Sequence, residues 1–130
     1  MTTPARVLII GKEPVDLEAR ASILRHFWSV STVAFDLVDR TEPNADIVVI
    51  CETLSEAERQ ECVDRVRDVA PKMLVVKVNG YDSGPFGGAD ATVDEQHGPG
   101  ALVSTVYELL TERGIRGRAW PELVDTPRVQ

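Results

Sequence analysis

The chain has 130 residues and 14.3 kDa, with 43% hydrophobic and 27% charged residues, a size and balance that fit one globular domain with a proper core. A formal net charge of -7 and a pI near 4.8 repel polyanions, which argues against nucleic acid and acidic membrane surfaces as partners of the domain as a whole. No apolar run approaches the roughly 18 residues of a membrane span, the N-terminal stretch lacks a signal-peptide core, and two cysteines with ten residues between them form neither a disulfide framework nor a zinc site, so a reducing cytoplasmic location is expected.

In chain order, Arg6-Val7-Leu8-Ile9-Ile10 reads as a buried strand ended by Gly11. Pro14 then suits the first turn of a helix, where its missing N–H costs nothing. Leu17, Ala21, Leu24 and Phe27 or Trp28 fall on one stripe, which predicts a helix from about Val15 to Phe27. Trp28 to Val33 alternates with period two, the pattern of a half-exposed edge strand. Phe35 to Thr41 allows at most a short helix, and Glu42-Pro43-Asn44 is turn chemistry.

Ala45 to Ile50 follows, with the β-branched run Ile47-Val48-Val49-Ile50 and no polar face. Such a strand must be covered on both sides, so it is expected at the centre of a parallel sheet. Its carboxyl end, at Cys51, lies where open α/β sheets place their sites. Ser55 with Glu58 three residues on is a capping box for the next helix, with Cys62, Val63, Val66, Val69 and Ala70 on its inner face and Pro71 as its stop. Met73 to Val78 is a fourth strand and Ala89 to Val93 a short fifth. The glycine-rich segment between Asn79 and Gly88 is too rich in breakers for a helix, and it lacks the Gly-Lys-Ser/Thr of a phosphate-binding loop. Leu102, Val103, Val106, Leu109 and Leu110 mark a last helix stopped by Gly114. His26 and His97 are isolated, without nucleophile–base spacing.

The expected fold class is therefore α/β: a doubly wound, five-stranded parallel sheet of flavodoxin-like, three-layer architecture. Residues 1–114 form the domain and 115–130 a C-terminal tail.

Three stretches resemble the receiver domain of bacterial response regulators: Val7 to Pro14, Ala45 to Cys51, and Gly88-Ala89-Asp90-Ala91, with an amphipathic last helix at the matching distance. The resemblance runs over about residues 5–113 and implies a receiver-like sandwich with a shortened second helix and a missing or irregular fourth helix. It also implies that the family's functional residues are replaced. The two Mg²⁺-holding acids fall on Gly11 and Lys12, and the phosphoacceptor Asp on Cys51. The Thr or Ser after the fourth strand falls on Val78 or Asn79, the fifth-strand Lys on Glu95, and the aromatic switch residue on Thr92.

Aspartyl-phosphate chemistry needs a carboxylate nucleophile, a hard cation on oxygen ligands and a cation facing the transferred oxygens. A thiol forms no acyl phosphate and is a poor Mg²⁺ ligand. No phosphorylation, no Mg²⁺, no other metal or cofactor and no enzymatic activity are expected. The exchange of an acid for Lys12 and of a Lys for Glu95 admits two readings, a direct Lys12–Glu95 pair closing the pocket and two unrelated surface charges. Cys51 admits two readings, a thiol activated by nearby Lys12 and a small buried residue filling a vacated pocket. No Cys51–Cys62 disulfide is expected.

The preferred function is a non-phosphorylatable pseudo-receiver acting in signal transduction through protein–protein contact, with a second copy of the chain among the candidate partners. Arg116, Arg118 and Trp120 are residue types enriched at interface hot spots and offer one interface. The alternative is a small flavodoxin-like enzyme or ligand-binding domain using a pocket around Cys51.

Overall fold

The computed structural model describes residues 5–40, 44–80 and 88–113. The central strand is β3, Ile47–Ile50, with every residue at 0% exposure. On one side it pairs with β1 (Arg6–Gly11), which pairs in turn with β2 (Ser29–Ala34). On the other side it pairs with β4 (Leu74–Asn79), followed by β5 (Ala91–Asp94). All four pairings are parallel and the order is β2-β1-β3-β4-β5, the flavodoxin-like order, as expected.

Alternate side chains of these strands feed two cores. Val7, Ile9, Ile47, Val49, Val76, Val78 and Val93 face α1 (Pro14–Leu24) and α3 (Pro99–Arg113). Leu8, Ile10, Val48, Ile50 and Val75 face α2 (Glu56–Val69) and a 3-10 helix at Phe35–Arg40. Neither face of β3 meets water, which explains its continuous apolar run. Burying each such side chain contributes roughly 1.5–3 kcal/mol.

Local chemistry sets the helix ends. Pro14 opens α1, and the amides of Arg25, His26 and Phe27 turn back onto the carbonyls of Ala21, Ile23 and Leu24. The helix therefore stops at Leu24 rather than Phe27. The chain must turn there to bring Trp28, 4% exposed, into the core against Leu24 and Ala5. The capping box of α2 forms as expected, with Ser55 Oγ accepting from the Glu58 amide at 3.1 Å and Glu58 Oε1 accepting from the Ser55 amide at 2.8 Å. Its inner face is Arg59, Cys62, Val63 and Val66; Val69, expected inward, is 46% exposed because it lies in the last turn, beyond the sheet contact.

β2 is an edge strand, largely exposed, and the shortened second helix is the 3-10 segment. β5 starts at Ala91 rather than Ala89, because Gly88 takes a positive φ of 89° and Asp90 is drawn to β4. Asp90 Oδ2 accepts from the Val75 amide at 2.7 Å and from Arg67 Nη2 at 2.9 Å. The Gly-Ala-Asp stretch is thus a clamp joining α2, β4 and β5. Residues 81–87, where the resemblance implies a missing or irregular fourth helix, Gly114 and the tail with Arg116, Arg118 and Trp120 lie outside the described residues. Among the described residues no helix is long and apolar enough to cross a membrane.

Candidate functional site at the carboxyl ends of the strands

The register brings Gly11, Cys51 and Val78 to one level at the carboxyl edge of the sheet. Ile10 pairs with Ile50, and Ile50 with Lys77. The Cys51 amide continues the ladder by donating to Ile10 O at 2.9 Å. Gly11 is packed from above: a Cβ there would come within 2.8 Å of Leu17 Cδ2 and 3.3 Å of Thr53 Oγ1. Thr53 Oγ1 also accepts from the Lys12 amide at 3.2 Å. The space an acidic side chain would need at position 11 is therefore occupied.

Lys12 does not pair with Glu95. Its ammonium lies 3.1 Å from Glu58 Oε2, because the capping box fixes the Glu58 side chain in the first turn of α2. The Ser55 amide and then Lys12 hold the Glu58 carboxyl below its ordinary range. Glu95 begins a 3-10 helix, Glu95–His97, after β5, and its carboxylate makes no ion pair among the described residues.

Cys51 is 2% exposed and belongs to the core under α1 and α3. Burial pushes its thiol pKa up, opposed by the Arg20 guanidinium beside it. This favours a space-filling cysteine over an activated one, and the cation at hand is Arg20 rather than Lys12. Cys62 is 1% exposed, and burial followed by nearby acids pushes its thiol up to about 12. Both cysteines are free, and they belong to cores on opposite faces of the sheet.

Two ion-pair groups complete the edge. Arg20 on α1 holds Glu52 with both nitrogens of its fork, at 2.7 and 3.4 Å. Burial raises the Glu52 carboxyl, but the bond and charge from Arg20 outweigh it and leave Glu52 below its ordinary range. On the opposite face, Lys77 and Arg59 are both at 0% exposure. Lys77 Nζ donates to Glu56 Oε2 at 2.6 Å, and Arg59 Nη2 donates to Glu56 Oε1 at 3.0 Å. Arg59 Nη1 also donates to Leu54 O at 2.6 Å and Glu52 O at 3.2 Å, which ties down the loop after Cys51.

Sequence reasoning missed Arg20, Arg59 and Lys77. For Lys77 a signal existed: a lone charge at the fourth residue of a six-residue strand, on the same face as Val75.

The other positions are scattered around this edge. Val78 is buried in the core beneath α1 and α3. Asn79 ends β4 half-buried, its Oδ1 without a hydrogen-bond partner among the described residues. Thr92 is half-buried and pairs with Lys77 in register, so the two share the α2-facing side of the sheet. His26 and His97 are exposed. No group of three or more His, Cys, Asp or Glu residues among those described could hold a metal ion. A cleft of about 350 Å³ opens between α1, the segment after β3, β5 and the start of α3, with Arg20, Glu52 and Glu95 on its wall.

No family model matches the sequence, and no curated protein matches it. Solved structures do match. A response regulator receiver domain protein from Methanospirillum hungatei JF-1 superposes with a TM-score of 0.72 at 21% identity, covering 86% of this chain and 98% of that chain. The BeF3-activated receiver domain of DrrB, from Thermotoga maritima, gives 0.69 at 17% identity over 85% of this chain and 99% of that one. A structure of the histidine kinase ThkA in complex with the response regulator protein TrrA gives 0.68 at 18%, covering 82% and 98%. At identities of 17–21% these matches carry the fold, and the fold is that of the response-regulator receiver domain.

Proposed function

We propose that this chain is a pseudo-receiver: a receiver fold that works through contact with other proteins and is not switched by phosphorylation. One observation carries this reading. At the edge of the sheet, the space for the first of the family's paired acids is filled, the second is a Lys paired within the chain, the nucleophile is a buried thiol, and the phosphate-facing cation is replaced by the acid Glu95. Leu17 and Thr53 fill the space above Gly11, and Lys12 and Arg20 are paired with Glu58 and Glu52. Cys51 is a buried thiol that forms no acyl phosphate. Phosphoryl transfer relies on positioned metal and electrostatic stabilisation, and an edge with Lys12 and Arg20 already paired and an acid in place of the phosphate-facing cation offers neither.

A protein partner is the route to function that this reading assigns to the scaffold. That a matching structure contains a response regulator bound to a histidine kinase supports a protein partner for this fold. A second copy of the chain and the segment with Arg116, Arg118 and Trp120 are parts of the same proposal. The chain is not proposed as an enzyme.

Intact mass after incubation with acetyl phosphate and Mg²⁺ tests the reading. The expected spectrum shows unmodified protein only; a phosphoryl adduct on the native chain would overturn it.

A further inference from the structure

The cleft beside the sheet edge is a built cavity that the protein-contact role does not use. Its floor is apolar and reaches the core: Leu24 from α1, Val78 from β4, Val93 from β5 and Leu102 from α3, each at 5% exposure or less. Ala19, Ile23 and Pro99 extend the apolar wall outward. At about 350 Å³ it lies at the small end of ligand pockets, which run from about 300 to 1,000 Å³.

The charges around the mouth fix the sign of an occupant. Among the described residues that line it, Asp16, Glu52 and Glu95 face one cation, Arg20, so three acids against one base leave a charge of -2 on that lining. The Arg20 fork is already engaged by Glu52. Asp16 and Glu95 make no ion pair among the described residues. An anion would meet repulsion and a neutral molecule would gain only the floor. A cation on an apolar stem satisfies both parts of the cleft.

We infer that this cleft binds a small organic cation, a primary ammonium carried on an aromatic body, with its stem on the Leu24–Val78–Val93–Leu102 floor and its charge between Asp16 and Glu95. This site goes beyond the protein-contact role and stands or falls independently of it.

The test is a ¹⁵N–¹H titration of the full chain with 2-phenylethylammonium, with 2-phenylethanol as neutral and 3-phenylpropionate as anionic control. Saturable shifts at Ala19, Ile23, Gly98 and Leu102 are expected with the cation, which binds about fivefold or more tightly than the alcohol. Asp16→Asn and Glu95→Gln, both exposed positions, each weaken it by about two- to fivefold, and added salt weakens it further. Absence of saturable shifts, shifts located elsewhere, equal binding of the controls, or indifference to both substitutions would overturn the inference. So would binding of Nα-acetyl-lysine amide with no binding of 2-phenylethylammonium, which would assign the cleft to a protein side chain.

Discussion

Glu56→Ala is the most informative perturbation of the folded state. The Glu56 carboxylate sits between two cations at 0% exposure, 2.6 Å from Lys77 Nζ and 3.0 Å from Arg59 Nη2. Burial alone would raise the Glu56 pKa, but the bonds from Lys77 and Arg59 outweigh that and hold it below its ordinary range. Breaking a buried ion pair by removing one partner costs about 3–5 kcal/mol, chiefly because a charge stays behind out of water. Glu56 is 28% exposed, so water reaches the vacated space and the lower end of that range applies, about 3 kcal/mol.

The reverse change behaves differently. Lys77→Met removes the buried charge itself, leaves Glu56 with Arg59, and keeps stem volume in the core, so stability stays within about 1 kcal/mol of the wild type. Urea unfolding followed by circular dichroism measures both. With a slope of about 1.5–2 kcal/mol per molar, Glu56→Ala moves the midpoint down by about 1.5–2 M at unchanged slope. Combining the two substitutions recovers part of that loss, a coupling that a double-mutant cycle isolates. A cost for Glu56→Ala below about 1 kcal/mol, or equal costs for the two single variants, would refute this account of the buried cluster.

Three further outcomes follow from the same edge. The folded-state pKa values of Glu52, Glu56 and Glu58 lie below the ordinary 4.5, so the unfolded chain takes up protons first on acidification. Stability present above about pH 4.5 is therefore lost as pH falls through the depressed values, and urea midpoints should drop steeply between about pH 5 and pH 3; a flat profile would contradict the pairing. With both thiols buried and their pKa values raised, a thiol reagent at neutral pH should modify the native chain slowly and the urea-unfolded chain at once, and fast native labelling of Cys51 would return it to the status of a reactive group. Gly11→Asp, which would place the family's acid at its position, should cost about 1–3 kcal/mol because its Cβ meets Leu17 at 2.8 Å, and calorimetry finding it neutral would show that Leu17 yields.

The fold was legible because each element carried its own physical signal. The IVVI run of β3 required cover on both faces, and Ser55–Glu58 announced α2 by a pair of reciprocal bonds. Errors at element ends came from tertiary demands: α1 stops early so that Trp28 can enter the core, and β5 starts late because Asp90 is held by Val75 and Arg67.

At the site, the backbone positions of Gly11, Cys51 and Val78 followed from strand order and register. Side-chain partners did not. Exchange of charge allows a Lys12–Glu95 pair as one of two readings, whereas the capping box in the first turn of α2 holds Glu58 within 3.1 Å of the Lys12 ammonium. Arg20 and Arg59 looked like ordinary surface charges on their helices, because nothing local reveals that a long side chain will fold back over a loop. Lys77 alone broke an apolar strand, and that break marked the buried cluster with Glu56.

The central claim, that the edge of the sheet is closed to metal and phosphoryl group, meets its most direct test in a ¹⁵N–¹H spectrum recorded with Mg²⁺ and then with beryllofluoride. The account predicts no saturable shifts at Gly11, Lys12, Cys51 or Glu52 in either step. Saturable movement of those amides, with slow exchange on adding beryllofluoride, would show a working phosphoryl pocket and contradict it.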